Sequence, residues 1–200
     1  LDVAHRFFPD LITNHTNMAL FLESCYRDLL LLGAGYASSN YTLIPDVKST
    51  YHGYNALFYL NQTYPFLNLT VSEHRRNQTK IFLDLHYEEA SGGYSAFPGN
   101  RSDVMSTFYV VQTSKLLGIP LKNETKTIAF AKSCQNYDGG FTSNEVDLNA
   151  NLTITERSMS SMSNAYAVIN ILTLLNSSLD QEVLNKYLDW KKVYRSKSGL

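Results

Sequence analysis

Asp84, His86, Glu88 and Glu89 crowd one short stretch of the chain. Positions 84 and 88 lie one turn apart on a helix, so these groups have the types and spacing of a general acid/base pair or of a metal-binding face. The stretch Ile81 to Tyr87 has the apolar pattern of a helix that ends at Gly92-Gly93, which puts the carboxylates on a solvated face. His74-Arg75-Arg76 is the one basic cluster, and an anion site needs several such groups converging. Its position between apolar stretches, beside Asn77, reads as a solvated surface loop. Lys48, Lys115, Lys132 and Arg157 are dispersed over different elements. The two cysteines, Cys25 and Cys134, have no His or Asp at ligand spacing; they either pair or serve as small buried hydrophobes. His52 is a lone ring with the reading of a hydrogen-bonded structural residue. No glycine-rich phosphate loop, nucleophile elbow or His-Glu-x-x-His motif occurs. No catalytic residue, metal-ligand set or cofactor is therefore assigned. Tyr51, Tyr94, Phe108, Phe141 and Tyr166 recur at related positions and are candidates to line an apolar cavity, against the alternative that they pack helix on helix.

The elements that would hold these groups repeat along the chain. Asp46-Val47-Lys48-Ser49-Thr50-Tyr51 opens an apolar stretch ending at Asn61. Asp103-Val104-Met105-Ser106-Thr107-Phe108 opens a second ending at Gly118, and Ser163-Asn164-Ala165-Tyr166 a third ending at Asn176. Each has a capping residue, helical apolar spacing and a terminal Gly or Asn suited to the left-handed conformation. Between them run helices that end in Ser91-Gly92-Gly93-Tyr94 and Asp138-Gly139-Gly140-Phe141. The unit is helix, Gly-Gly-aromatic turn, helix, an αα-hairpin of about 50 residues. Four boundaries follow: about 17–61, 77–118, 123–176 and a partial unit over 180–200, all in one domain spanning 1–200. In the first unit the leading helix is expected to end near Gly33. Residues 142–162 form a long polar insertion.

Composition sets the compartment expectation. A net charge of −1 from 17 basic and 18 acidic residues gives no basic face for nucleic acid. The unbroken apolar runs, such as Leu29–Leu32, are far short of the ~20 residues of a membrane span. Nine asparagines head an N-x-[ST] sequon: Asn14, Asn40, Asn61, Asn68, Asn77, Asn100, Asn123, Asn151 and Asn176. The Asn, Ser and Thr content predicts about three by chance. The excess points to N-linked glycans and to a secreted or lumenal location in the secretory pathway, and a first residue other than Met to a mature or excised segment.

The repeats resemble a known family. Asp46–Tyr51, Gly92–Tyr109 and Cys134–Phe141 are similar to the repeats of protein prenyltransferase β subunits, and Gln135-x-x-x-Gly139-x-Phe141 is similar to the repeat of squalene and oxidosqualene cyclases. The resemblance implies an all-α fold of helical hairpin repeats forming an α/α toroid. Helices after Asp46, Asp103 and Ser163 would be inner and those before the Gly-Gly turns outer. It also implies a test of chemistry, because the β subunits hold zinc through an Asp-x-Cys pair after a Gly-Gly-aromatic turn and a His near the start of a later inner helix. After Phe141 the chain reads Thr-Ser-Asn-Glu-Val-Asp-Leu-Asn, and the position resembling the His is Ser106. The Asp-x-Asp-Asp acid of the cyclases is absent too. The expectation is an incomplete toroid, open for a cap or partner. Its leading function is that of a non-catalytic, glycosylated module acting as scaffold or interaction surface, completed by another protein chain or by further repeats. Two alternatives stand beside it: a prenyltransferase- or cyclase-like subunit whose catalytic residues lie outside this segment, and a carrier of an apolar ligand at the toroid centre.

Overall fold

The computed structural model describes residues 15–145 and 159–198, with side chains to residue 193. Among the described residues seven helices alternate in two series. α1 (His15–Cys25), α3 (Glu73–Leu85) and α5 (Glu124–Ser133) each precede a glycine-aromatic turn, and α7 (Gln181–Ser198) continues their series; those following a turn are α2 (Val47–Thr63), α4 (Val104–Leu117) and α6 (Met162–Leu174). Among the described residues no helix is long and apolar enough to cross a membrane.

The following helices start where a short polar side chain can cap them. The Asp46 carboxylate accepts from Ser49 N at 2.8 Å, the Asp103 carboxylate from Ser106 N at 2.8 Å, and the Ser161 hydroxyl from Asn164 N at 3.1 Å. The third helix thus starts two residues earlier than Ser163, because Ser161 N also donates to Phe141 O and fixes the register. The same clasp recurs where Asp46 N donates to Tyr36 O and Asp103 N to Tyr94 O. Gly118 and Asn176 take the left-handed conformation that the sequence predicts. Asn61 does not; α2 runs on to Thr63, and the left-handed residue is Asn68, after a 3-10 turn at Pro65–Leu67.

The leading helix of the first unit ends at Cys25, not near Gly33. Residues 26–36 instead form an antiparallel ribbon of β1 (Tyr26–Asp28) and β2 (Ala34–Tyr36), with Tyr26 opposite Tyr36. Leu30–Leu32 make an exposed 3-10 turn at its tip. The other units carry the same ribbon shortened to one bridge, Tyr87 opposite Tyr94 and Gln135 opposite Phe141. Each ribbon contains a glycine at positive φ, Gly33 (78°), Gly92 (84°) and Gly139 (89°). A Cβ there would overlap the backbone of the next helix of the preceding series, at Gln78 and Phe82, at Lys126 and at Lys186 respectively. Glycine is required twice over, by the backbone angle and by the approach.

The chain divides into two compact units, one of Leu1–Leu85 with Thr113–Pro120 and the other of His86–Gln112 with Leu121–Leu200. The core of the first gathers Cys25, Tyr36, Tyr54, Leu57, Val71 and Leu117. That of the second is built on Val104, Phe108, Phe130, Phe141, Val168, Ile171 and Trp190.

Candidate functional site

In the first unit the residue of greatest chemical interest is Arg75, the third residue of α3. Ser72 opens that helix by accepting from Arg75 N at 3.2 Å, so His74-Arg75-Arg76 is helical and not a surface loop. The Arg75 side chain is only 14% exposed. Its guanidinium carbon lies 3.7 Å over the Tyr26 ring, 5.2 Å from Tyr36 and 5.6 Å from Tyr54. One nitrogen reaches both Glu23 oxygens at 2.9 and 3.0 Å, and another donates to the Tyr36 hydroxyl at 2.7 Å. Tyr36 meets Tyr54 edge-on at 5.1 Å, and the Tyr54 hydroxyl bonds that of Thr79 at 2.6 Å. Sequence spacing gave no sign of this cage, since Tyr26, Tyr36, Tyr54 and Arg75 come from four elements. Gly53 lets it form: a Cβ there would enter the Tyr36 ring.

The cage orients an arginine and withdraws it from solvent, and it shifts its tyrosines. Burial raises the phenols of Tyr26, Tyr36 and Tyr54 above their ordinary value of 10, with the Arg75 charge opposing in part. Between that value and the folded pKa the unfolded chain binds fewer protons than the native one, so stability falls as pH rises. We expect stability to decline above about pH 10 by roughly 1.4 kcal/mol per pH unit for each of the three phenols. Urea midpoints at pH 8.5 and 11, compared with a Tyr26→Phe variant, measure it; a flat profile refutes it.

A cavity of about 280 Å³ lies in the same unit, with Phe21, Leu22, Cys25 and Tyr36 on its apolar side and Lys48, Ser49 and His52 among its polar lining. Burial first, then the Lys48 charge, lowers the His52 pKa, with Asp46 acting the other way. Apolar lining with a cation at its edge suits an amphiphile with an acidic end.

The aromatic candidates are divided. Tyr94 and Phe141 are 1% and 0% exposed: Tyr94 packs edge-on against Tyr87, and Phe141 packs beside Tyr187. Both are buried, Phe141 within the core of the second unit. Phe108 is buried too, but its edge meets Tyr166 at 5.8 Å, and Tyr166 is 59% exposed. With Tyr109 and Met105 half-buried beside them, these residues form an aromatic surface at the starts of α4 and α6. Tyr51 is half-buried in the first unit, tilted against His52.

The acidic cluster does not act together. Asp84 pairs with Lys80 on α3, and the Glu89 carboxylate binds Lys126. His86 is buried, with Nδ1 at 2.9 Å from Ser95 O. Glu88 accepts from Ser102 N at 2.8 Å and from the Ser91 hydroxyl at 2.8 Å, and the Ser102 bond holds its pKa below the ordinary carboxylate value. Its role is to close the turn around Gly92-Gly93. Glu88→Gln should cost about 1 kcal/mol near neutral pH, because it removes a charged acceptor. That difference should vanish as pH falls through the Glu88 pKa, which a pair of denaturation curves at pH 7 and 3 would measure.

The groups that the resemblance marks for zinc have structural occupations. Ser106 is buried and donates to Asp103, whose other oxygen caps α4. The stretch after Phe141, where the resemblance looks for the Asp-x-Cys pair, is described only as far as Glu145. Cys25 and Cys134 are free and buried, and burial pushes the Cys134 thiol well above its ordinary range. Among the described residues no three His, Cys, Asp or Glu side chains converge. Residues 146–158, most of the polar insertion, lie outside the described residues, as do Asn14 and Asn151. Of the other sequon asparagines, Asn40, Asn68, Asn77, Asn100 and Asn176 are exposed. Asn61 and Asn123 are half-buried, and their amide oxygens accept from Leu69 N and Lys126 N.

Comparison with known proteins agrees with the repeat geometry. The chain is similar to the solved structure of Candida albicans protein geranylgeranyltransferase-I complexed with GGPP, with 18% identity, a TM-score of 0.62, and coverage of 88% of this chain and 50% of that one. It therefore spans about half the length of that chain. No curated protein matches. A family model for the prenyltransferase alpha-alpha toroid domain matches residues 10–199. Paired helices, glycine-aromatic turns in register and this match together make the chain a member of the prenyltransferase alpha-alpha toroid domain family.

Proposed function

We propose that this chain is a non-catalytic toroid module that serves as a scaffold for another protein chain in the secretory pathway. The observation that carries the reading is the fate of its reactive groups: Ser106, at the position resembling the family's His, is buried and bonded to Asp103, and both thiols are buried. Burial, which raises the Cys134 pKa, makes that thiol a poor nucleophile at neutral pH. The five exposed sequon asparagines support the location.

The test is native mass spectrometry of the protein recovered from its own cells, with peptide mapping. A complex with a second chain, and hexose-bearing mass at Asn40, Asn68, Asn77, Asn100 or Asn176, is the expected result. A bare monomer, or stoichiometric zinc with prenyl transfer, would overturn it.

A second reading rests on the exposed Tyr166 against Phe108, with Met105 and Tyr109 alongside. An apolar chain laid on that surface would make the protein a carrier, or part of a transferase of the kind that the GGPP complex represents. Tyr166→Ala should then weaken binding of a fluorescent isoprenoid about tenfold while leaving the unfolding midpoint unchanged; equal binding by both proteins excludes this surface.

A further inference from the structure

The fold makes different uses of the third residue of each N-x-[ST] triplet. A glycosylating transferase reads that hydroxyl as well as the asparagine amide, so both must be within its reach. In Asn77-Gln78-Thr79 they are not. Asn77 is exposed, but Thr79 is 0% exposed and its hydroxyl bonds that of Tyr54 at 2.6 Å. The triplet also lies inside α3, where its backbone is helical. Thr79 stands eight residues before the bridge residue Tyr87, and Thr127 eight before Gln135. Thr127 is buried as well, its hydroxyl donates to Gly92 O at 3.0 Å, and the residue two before it is Thr125, not asparagine. A threonine here is a core residue of the repeat, whether or not an asparagine precedes it.

Asn100-Arg101-Ser102 shows the same split by other contacts. Asn100 is exposed and Ser102 is buried. The Ser102 hydroxyl bonds that of Ser91 at 2.7 Å, its N–H donates to Glu88 at 2.8 Å, and its carbonyl accepts from the Asn144 amide at 2.6 Å. Asn68-Leu69-Thr70 and Asn176-Ser177-Ser178 differ. There the first and third residues are all exposed. Each of these asparagines lies beyond a helix end and takes the left-handed conformation, with φ of 47° and 51°.

We propose that Asn77 and Asn100 accept an N-linked glycan only while the chain is unfolded, whereas Asn68 and Asn176 accept one after folding too. The proposal rests on the glycosylated, secretory reading above and adds the order of events. In the transfer, the asparagine Nδ2 bonds to C1 of the donor sugar as the C1–O bond to a lipid diphosphate breaks. The amide proton passes to the transferase and the lipid diphosphate leaves. Folding competes with that step for the Thr79 and Ser102 hydroxyls. Once Tyr54 and Ser91 hold them, the transferase must wait for an opening of buried structure, which is rare. A sugar already on Asn77 or Asn100 does not oppose folding, because both asparagines are exposed. Glycan mass at either is therefore a record of transfer before folding.

Glycosylation in vitro tests it. The full chain, made without glycans and folded, is incubated with an oligosaccharyltransferase and a lipid-diphosphate-linked oligosaccharide. Peptide mapping gives the rate at each site, divided by the rate for a short peptide centred on the same asparagine. Asn68 and Asn176 should stay within about tenfold of their peptides, and Asn77 and Asn100 should fall about a hundredfold or more below theirs. Arg75→Met loosens the cage to which Tyr54 and Thr79 belong, and should raise the rate at Asn77 by roughly tenfold or more. Transfer to Asn77 or Asn100 of the folded chain at the peptide rate overturns the proposal. So does an equal slowing at Asn68 and Asn176, or no response of Asn77 to Arg75→Met. Protein from its own cells that carries no glycan defeats the secretory reading while the contrast in vitro stands; glycans in the cell without that contrast defeat this proposal alone.

Discussion

Gly139→Ala should detach α7. The chain has a single tryptophan, Trp190, on that helix, 9% exposed and packed against Gly140. Gly139 has φ +89°, where an L-residue costs about 1–2 kcal/mol. Its Cβ would also overlap the Lys186 carbonyl oxygen and carbon. Both are backbone atoms, so no rotamer change relieves the clash; the helix must move. Together these terms exceed about 4 kcal/mol, the range of severe single substitutions. The expected readout is a red shift of Trp190 emission and loss of amide protection across Gln181–Ser198. Gly99→Ala is the control. Gly99 has φ +82° but nothing within 4 Å of the added carbon, so it tests the angle without the clash. It should cost about 1–2 kcal/mol and leave the tryptophan spectrum unchanged. Equal effects of the two substitutions would mean that the backbone approach of Gly139 contributes nothing.

The contrast between these glycines shows what could be read from one dimension. Gly92-Gly93 and Gly139-Gly140 announce turns, and Asp46 and Asp103 announce helix starts, because capping and left-handed angles are local and each residue type carries its own conformational preference. The packing partner of each turn lies more than thirty residues away, at Lys126 and Lys186, and no local preference points to it. Leu29–Leu32 misleads for the same reason. Four leucines in a row read as the end of a buried helix, yet Leu30 and Leu31 are 79% and 93% exposed at the tip of a ribbon. The ribbon forms because Gly33 fits against α3, which a continued helix would not allow. Of the candidate site, Tyr166 is where an apolar ligand could reach it, while Tyr94 and Phe141 are buried beneath neighbouring helices. Aromatics at repeat spacing mark the repeat, and only tertiary position separates the one that faces solvent from those that fill the core.

Arg75 is the largest departure, and its removal the second large effect. A cation between polar neighbours in sequence reads as surface; in the structure it is the centre of the first unit's aromatic cage. Arg75→Met keeps much of the volume and all of the apolar stem, so its cost isolates the guanidinium. Three contributions disappear: the bonds from one nitrogen to Glu23, the bond to the Tyr36 hydroxyl and the stacking on Tyr26. Glu23 is 44% exposed and recovers water when its partner goes, which discounts the ion pair to about 1 kcal/mol. The Tyr36 ring is 1% exposed and its hydroxyl is left to find a new partner at about 1–3 kcal/mol, and the lost cation–π contact adds about 1–2. The sum is near 4 kcal/mol. Arg75→Lys keeps the charge but not the planar fork and should recover less than half of it. Glu23→Gln should cost only about 1 kcal/mol. That ordering separates a cage held by stacking and the Tyr36 bond from one held by the ion pair. Hydrogen exchange reads it by region: protection should fall in α1, the ribbon and α3, while α5, α6 and α7 keep theirs. If Glu23→Gln destabilises as much as Arg75→Met, the ion pair dominates and the aromatic cage is only its surroundings.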